Sequence, residues 1–167
     1  DEAELAAMLT QAQGEVNLSM DFPEDDPRKY DVELIALAAG LRGRYEAQME
    51  HYAFQDALVE VFKLIGRANK YIDENKPWAL AKDEAQKERL ATVLYNLVEA
   101  ITIGASLLES FMPDTSKKIL AQLHAQKRAL SEMDQFGLYP SGEHVTDAPE
   151  ILFARMDLKE VMEKVEA

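Results

Sequence analysis

Trp78 is the only tryptophan of the chain and stands directly behind Pro77, at the point where a long helical pattern stops. A proline there pins the ring at a helix terminus, where it faces either a neighbouring helix or a partner. Five residues earlier lies Asp73, and upstream Lys63, Arg67 and Lys70 are spaced four and three apart, so they share one helical face. An aromatic ring for stacking, a carboxylate for the Watson–Crick edge of a base and a few cations for the backbone are the parts that recognise single-stranded RNA loops. At about 1.5 Å of rise per residue, all of them fall near one helix end. Two plainer readings stand beside this one: Trp78 serves equally as a core anchor where two helices meet, and the cations as a solvated outer face. Asn69 falls on the apolar side between Ile65 and Ile72, which makes it a structural support, partly buried and hydrogen-bonded.

No other chemistry emerges. His51, His124 and His144 are far apart in sequence and form no H-x-x-x-H or H-E-x-x-H spacing, so no metal ligand is assigned. Glycines occur singly, without the G-x-G-x-x-G or G-x-x-x-x-G-K pattern that cradles phosphates. Carboxylates cluster at Glu24 to Asp26 and at Asp83 and Glu84, in loops or at helix starts, where solvation and the helix dipole account for them. No nucleophile can be paired with a base, and no catalytic residue is assigned.

The elements that must position Trp78 are read from periodicity. DEAELAAMLTQAQ has a helical composition, and GEVNLSMDFPEDDPRKYD, with Gly14, Pro23 and Pro27, reads as a connection. Leu34, Leu37, Ala38, Leu41, Tyr45 and Met49 predict a helix from about Asp31 to Glu50, with Asp31 as N-cap and Gly40 and Gly43 as weak points. The stripe Phe54, Leu58, Val61, Phe62, Ile65 and Ile72 predicts a helix ending at Asn75. A broad apolar face follows, with Leu90, Leu94, Leu97, Ile101, Gly104 and Leu108 in line, as in a central bundle helix where Gly104 permits close approach. After Asp114 or Thr115 as cap, Ile119, Leu120 and Leu123 begin another amphipathic helix. FGLYPSGEHVTDAPEILFARMD has no helical period and reads as an extended return, and LKEVMEKVEA as a short closing helix. The fold expected is all-α: a bundle of four to five helices over residues 1–125, and an extended return segment with a short C-terminal helix over 126–167 of the same domain.

Composition narrows the partners. A chain of 167 residues with 47% hydrophobic and 29% charged residues suffices for one domain with a sizeable core. Its net charge of -13 opposes a general nucleic-acid coat or an anionic-membrane binder, and all eight charges before Arg28 are acidic. The one basic neighbourhood runs from Lys63 to Lys82, where five cations (Lys63, Arg67, Lys70, Lys76, Lys82) meet two anions (Asp73, Glu74). The absence of cysteine rules out disulfides and thiolate chemistry and fits a reducing, cytoplasmic setting. No run of about 18 apolar residues is evident, so a membrane span is not expected. The chain opens on Asp1 and Glu2, as an excised domain or processed product would.

ANKYIDENKPWALAKDEAQKERLATVLYNLVEA, followed by LLESFMPDTSKKILAQL, resembles the C-terminal anticodon-binding domain of methionyl-tRNA synthetases. The resemblance runs from about Leu34 to Asp157. It is most specific at Asn69-x-Tyr71-Ile72-Asp73, Pro77-Trp78, Leu94-Tyr95-Asn96 and Phe111-Met112-Pro113. It implies a class I synthetase's helical bundle that binds the CAU anticodon of initiator and elongator methionine tRNAs, with Trp78 as principal stacking group and Pro77 and Asp73 beside it. Lys63, Arg67 and Lys70 are then candidate contacts to the RNA backbone. ATP, and zinc where present, would belong to a catalytic domain absent from these residues, and this fragment would carry no cofactor of its own.

The sequence departs from the family pattern in two places. The asparagine and arginine of a stretch resembling N-x-x-N-R, with which an earlier family helix reads bases, have no match in LAAMLTQAQGEVNLSM. Ala154 stands where the family tail usually has proline. The expectation is a tRNA anticodon-binding domain of a methionine–tRNA ligase. Its alternative is a helical protein-interaction module of the same fold that no longer reads RNA.

Overall fold

The computed structural model describes residues 22–23, 26–153 and 162 of the chain. The expected first helix lies outside the described residues, and so, apart from Met162, does the closing one. Among the described residues the fold is all-α. The segments are α1 (Arg28–Ala39), α2 (Leu41–Glu50), α3 (Phe54–Asn75), α4 (Pro77–Leu80), α5 (Lys87–Leu108) and α6 (Pro113–Gln122), with single 3-10 turns at Glu84–Gln86 and Leu130–Glu132. The two long helices, α3 and α5, pack on each other, with α1 against both, α2 against α3, and α4 and α6 against α5.

The helix expected from Asp31 to Glu50 is two helices, broken at Gly40. A β-carbon at Gly40 would lie 2.6 Å from Arg44 Nη1. Across this gap the Arg44 guanidinium donates to the Leu37 carbonyl (2.7 Å) and to Glu60 Oε2 (3.0 Å), joining both helices to α3. Gly43 does not break α2. Asp31 is no N-cap: α1 starts three residues earlier, and Asp31 is buried in its first turn. Asp114 and Thr115 do not cap α6 either, which starts at Pro113 with no side-chain cap.

The end of α3 at Asn75 agrees with the sequence reading, and so does most of the buried face of α5, but the buried face of α3 is rotated from it. The residues of α3 that are buried are Ala57, Glu60, Val61, Leu64, Ala68, Tyr71 and Asn75, while Phe54 and Phe62 are about half exposed. On α5 Leu97, Gly104 and Leu108 of the expected line are buried, with Val93 and Ala105 beside it, while Leu94 is exposed and Asn96, Ala100 and Ile103 extend the buried face. Polar groups in core register account for the shift on α3, because an apolar count skips Glu60, Tyr71 and Asn75, as it skips Asn96 on α5. Gly104 faces Leu64, whose Cδ2 would be 3.7 Å from an added β-carbon, an ordinary contact, so close approach does not require glycine there. The segment Glu84–Leu108 does hold an apolar window long enough to cross a membrane, and 61% of that window is buried within the bundle, as a core helix requires.

The first part of the return segment gathers on one buried carboxylate. Glu99 on α5 is fully buried and accepts from Arg128 Nη2 (3.1 and 3.3 Å), from the Gly137 N–H (2.9 Å) and from the Tyr139 N–H. Arg128 also donates to the Gln135 carbonyl (3.1 Å), and Tyr95 OH to the Tyr139 carbonyl (2.9 Å). Farther on, Thr146 N donates to the Gln122 carbonyl (2.8 Å). Backbone that forms no helix thus finds its partners on α5 and α6, which lets an irregular segment pack against a bundle.

Candidate nucleic-acid interface

Pro77 disfavours helical backbone at the residue before it, so α3 stops at Asn75, and Lys76 caps the helix in a left-handed conformation (φ 48, ψ 61). The corner is closed by hydrogen bonds on both sides. Lys76 N donates to the Ile72 carbonyl (2.9 Å), and the Lys76 carbonyl accepts from Ala79 N (2.7 Å). Pro77 opens α4, whose missing N–H costs nothing at a helix start. Trp78 follows in that turn, which packs on α5.

A buried polar cluster fixes the corner from behind. Tyr71 OH donates to Asp31 Oδ1 (2.5 Å) and accepts from Asn96 Nδ2 (3.2 Å). Arg89 spans the Asp31 carboxylate (2.5 and 2.9 Å) and donates to Asn75 Oδ1, while Asn75 Nδ2 donates to the Tyr71 carbonyl (2.9 Å). The start of α1, the end of α3 and the first half of α5 are thereby tied just before Lys76. Burial, and then the bond to Asp31, push the Tyr71 phenol above its ordinary range. Tyr71→Phe leaves the buried Asn96 amide without this acceptor and should cost about 1–3 kcal/mol, read as a lower urea midpoint. An unchanged midpoint would remove the cluster from the account of the corner. Sequence reasoning assigned none of these polar residues to the site; the available signal was Tyr71, Asn75 and Asn96 standing in core register among apolar neighbours.

The candidate residues divide sharply. Trp78 is 55% exposed, which sets aside its reading as a core anchor. Pro77 is half-buried beside it, and Asp73 is exposed, with no hydrogen bond or ion pair among the described residues. Asn69 is exposed rather than buried and makes no hydrogen bond there, because the buried face of α3 passes through Ala68 and Tyr71 instead. The three cations do not form a free outer face. Arg67 is folded inward, its side chain 11% exposed, against Glu74 (2.8 Å), Glu33 (3.0 Å) and the Tyr30 carbonyl (3.2 Å), since α1 packs on that side of α3. Lys63 pairs with Glu60 and Lys70 with Glu74 (3.5 Å). Of the five cations in the basic neighbourhood, the two without an ion pair among the described residues are Lys76 and Lys82, both exposed and both flanking Trp78.

Beside Asn69 an apolar groove of about 390 Å³ opens between α3, α5 and α6, lined among others by Phe62, Ile65, Ile72, Ile101, Met112 and Phe153.

Fold and corner together define an all-α bundle domain with an indole ring left half exposed at a locked helix junction. The family described as the anticodon binding domain of methionyl tRNA ligase matches residues 25–166, and the chain belongs to it. Similar curated proteins include the methionine–tRNA ligases of Caldanaerobacter subterraneus subsp. tengcongensis and of Clostridium perfringens. The first is 43% identical over 137 residues, covering 81% of this chain and 21% of that protein. The second is 41% identical over 137 residues, covering 82% and 21%. This chain therefore spans about a fifth of the length of these relatives. Among solved structures, free Mycobacterium tuberculosis methionyl-tRNA synthetase aligns at a TM-score of 0.56 and 28% identity, over 77% of this chain and 26% of that one. The same enzyme bound by methionyl-adenylate gives 0.56 and 29%, over 79% and 26%.

Proposed function

We propose that this chain binds the anticodon loop of initiator and elongator methionine tRNAs and reads CAU, as part of a methionine–tRNA ligase whose catalytic domain lies outside these residues. The observation that carries the reading is the half-exposed ring of Trp78, held at a corner that the Asp31–Tyr71–Arg89 cluster locks. A splayed base stacks on the indole, Pro77 walls the stack, and Asp73 offers a carboxylate to a base edge. The chain binds and positions. Correct bases hold the tRNA so that its acceptor end reaches the catalytic domain, where ATP, and zinc if that domain carries it, would serve. The setting is the cytoplasm.

A filter-binding assay tests this with methionine tRNA and the same tRNA carrying a changed anticodon. The changed anticodon is expected to weaken binding about tenfold or more, ~1.4 kcal/mol. Equal affinities would overturn the reading.

One observation favours a second reading, a helical protein-interaction module: the apolar groove beside Asn69, open among the described residues. Salt separates the two, because tRNA binding weakens steeply as salt rises and an apolar contact does not.

A further inference from the structure

We propose that Lys76 is the residue of the corner that contacts an RNA phosphate, an inference that rests on the anticodon reading above and names a contact within it. In a chain of net charge -13, three of the five cations in the basic neighbourhood are spent internally, Lys63 on Glu60, Arg67 on Glu33 and Glu74, Lys70 on Glu74, which leaves Lys82, four residues beyond Trp78, and Lys76 at the corner itself. Lys76 is exposed and has no ion pair among the described residues, although carboxylates outnumber cations 31 to 18 along the chain. Its backbone is left-handed, with φ 48, a conformation that suits glycine and that a lysine adopts at a cost. A lysine held there places its ammonium one residue before Pro77 and two before Trp78, so a nucleotide stacked on the indole brings its phosphate within reach of a long flexible cation. Charge at the end of α3 also complements the helix dipole. That role alone would make Lys76 a determinant of stability and leave the salt dependence of binding untouched, and this difference makes the proposal testable.

The probe is a stem-loop RNA carrying the CAU anticodon, bound by the full chain over a series of salt concentrations. Lys76→Gly removes the ammonium and relieves the left-handed backbone, so the corner keeps its shape, checked by an unchanged Trp78 emission maximum and an undiminished Tm. Its affinity at low salt should fall by about threefold to tenfold, and the slope of log affinity against log salt should become shallower by about 0.7, the value for one phosphate on a single strand. Lys76→Arg should keep the original slope. If Trp78→Ala weakens binding while Lys76→Gly leaves the slope unchanged, the phosphate contact is wrong and the anticodon reading survives. If the unaltered chain does not distinguish CAU from a changed anticodon, the anticodon reading fails and takes this inference with it.

Discussion

Arg128→Ala destabilises the bundle by about 3–5 kcal/mol, the loss expected when one partner of a buried ion pair is removed and the other charge stays behind. The side chain of Glu99 has no exposure and that of Arg128 only 6%, so water does not replace the missing guanidinium. For a domain of this size the fall in Tm should be about 6–20 °C, with the denaturant midpoint moving in the same direction. Glu99→Gln in the same chain should recover part of the loss. Gly137 N–H and Tyr139 N–H donate to different oxygens of Glu99, so the neutral amide keeps one of these two bonds, and it no longer carries an uncompensated charge. A single variant that loses under about 1 kcal/mol would mean that Glu99 is solvated or otherwise paired, and the return segment would need a different anchor.

The second large effect is on binding. Trp78→Ala should remove about 1–3 kcal/mol of RNA affinity, the range for one base stacked on an aromatic side chain, which is a loss of about 5-fold to 150-fold. Because the ring is 55% exposed, folding should change far less than after truncation of a fully buried side chain such as Leu64. As the only tryptophan it reports on itself: methionine tRNA should quench its emission, and an altered anticodon should quench it less. A blue-shifted emission indifferent to tRNA, together with a large loss of stability in Trp78→Ala, would identify the ring as a packing element and remove the principal residue from the interface.

The end of α3 was legible because Pro77 constrains the residue before it and the helical spacing runs up to that point. Trp78 was legible as a residue held at an edge, though its exposure was not, since a ring at a helix end can face either way until the neighbouring helices are placed. The three-and-four spacing of Lys63, Arg67 and Lys70 correctly put them along one side of α3. It could not show that α1 lies against that side and draws Arg67 inward to Glu33 and the Tyr30 carbonyl. Apolar counting placed the buried stripe of α3 to one side because the core there includes Glu60 and Tyr71, paired across 16 and 40 residues of sequence, and on α5 it passed over the buried Asn96 and Glu99. Core register marks such residues as buried, but which partner each one finds so far along the chain leaves no trace in local spacing. Asp31 looked like a cap for the same reason: a helix-start residue in sequence, it is the hub of a cluster in which its direct partners, Tyr71 and Arg89, lie 40 and 58 positions away.

That hub has a kinetic consequence. With parts of three helices tied behind it, the Lys76 corner has its shape before any partner arrives, so on the anticodon reading little freedom would be lost when a base settled on the indole. Loosening the tie, as Tyr71→Phe would, leaves the surface met on first encounter nearly unaltered. On the anticodon reading, the change in Tyr71→Phe is expected in how long a bound RNA stays rather than in how fast it associates, read as a faster dissociation rate at an unaltered association rate.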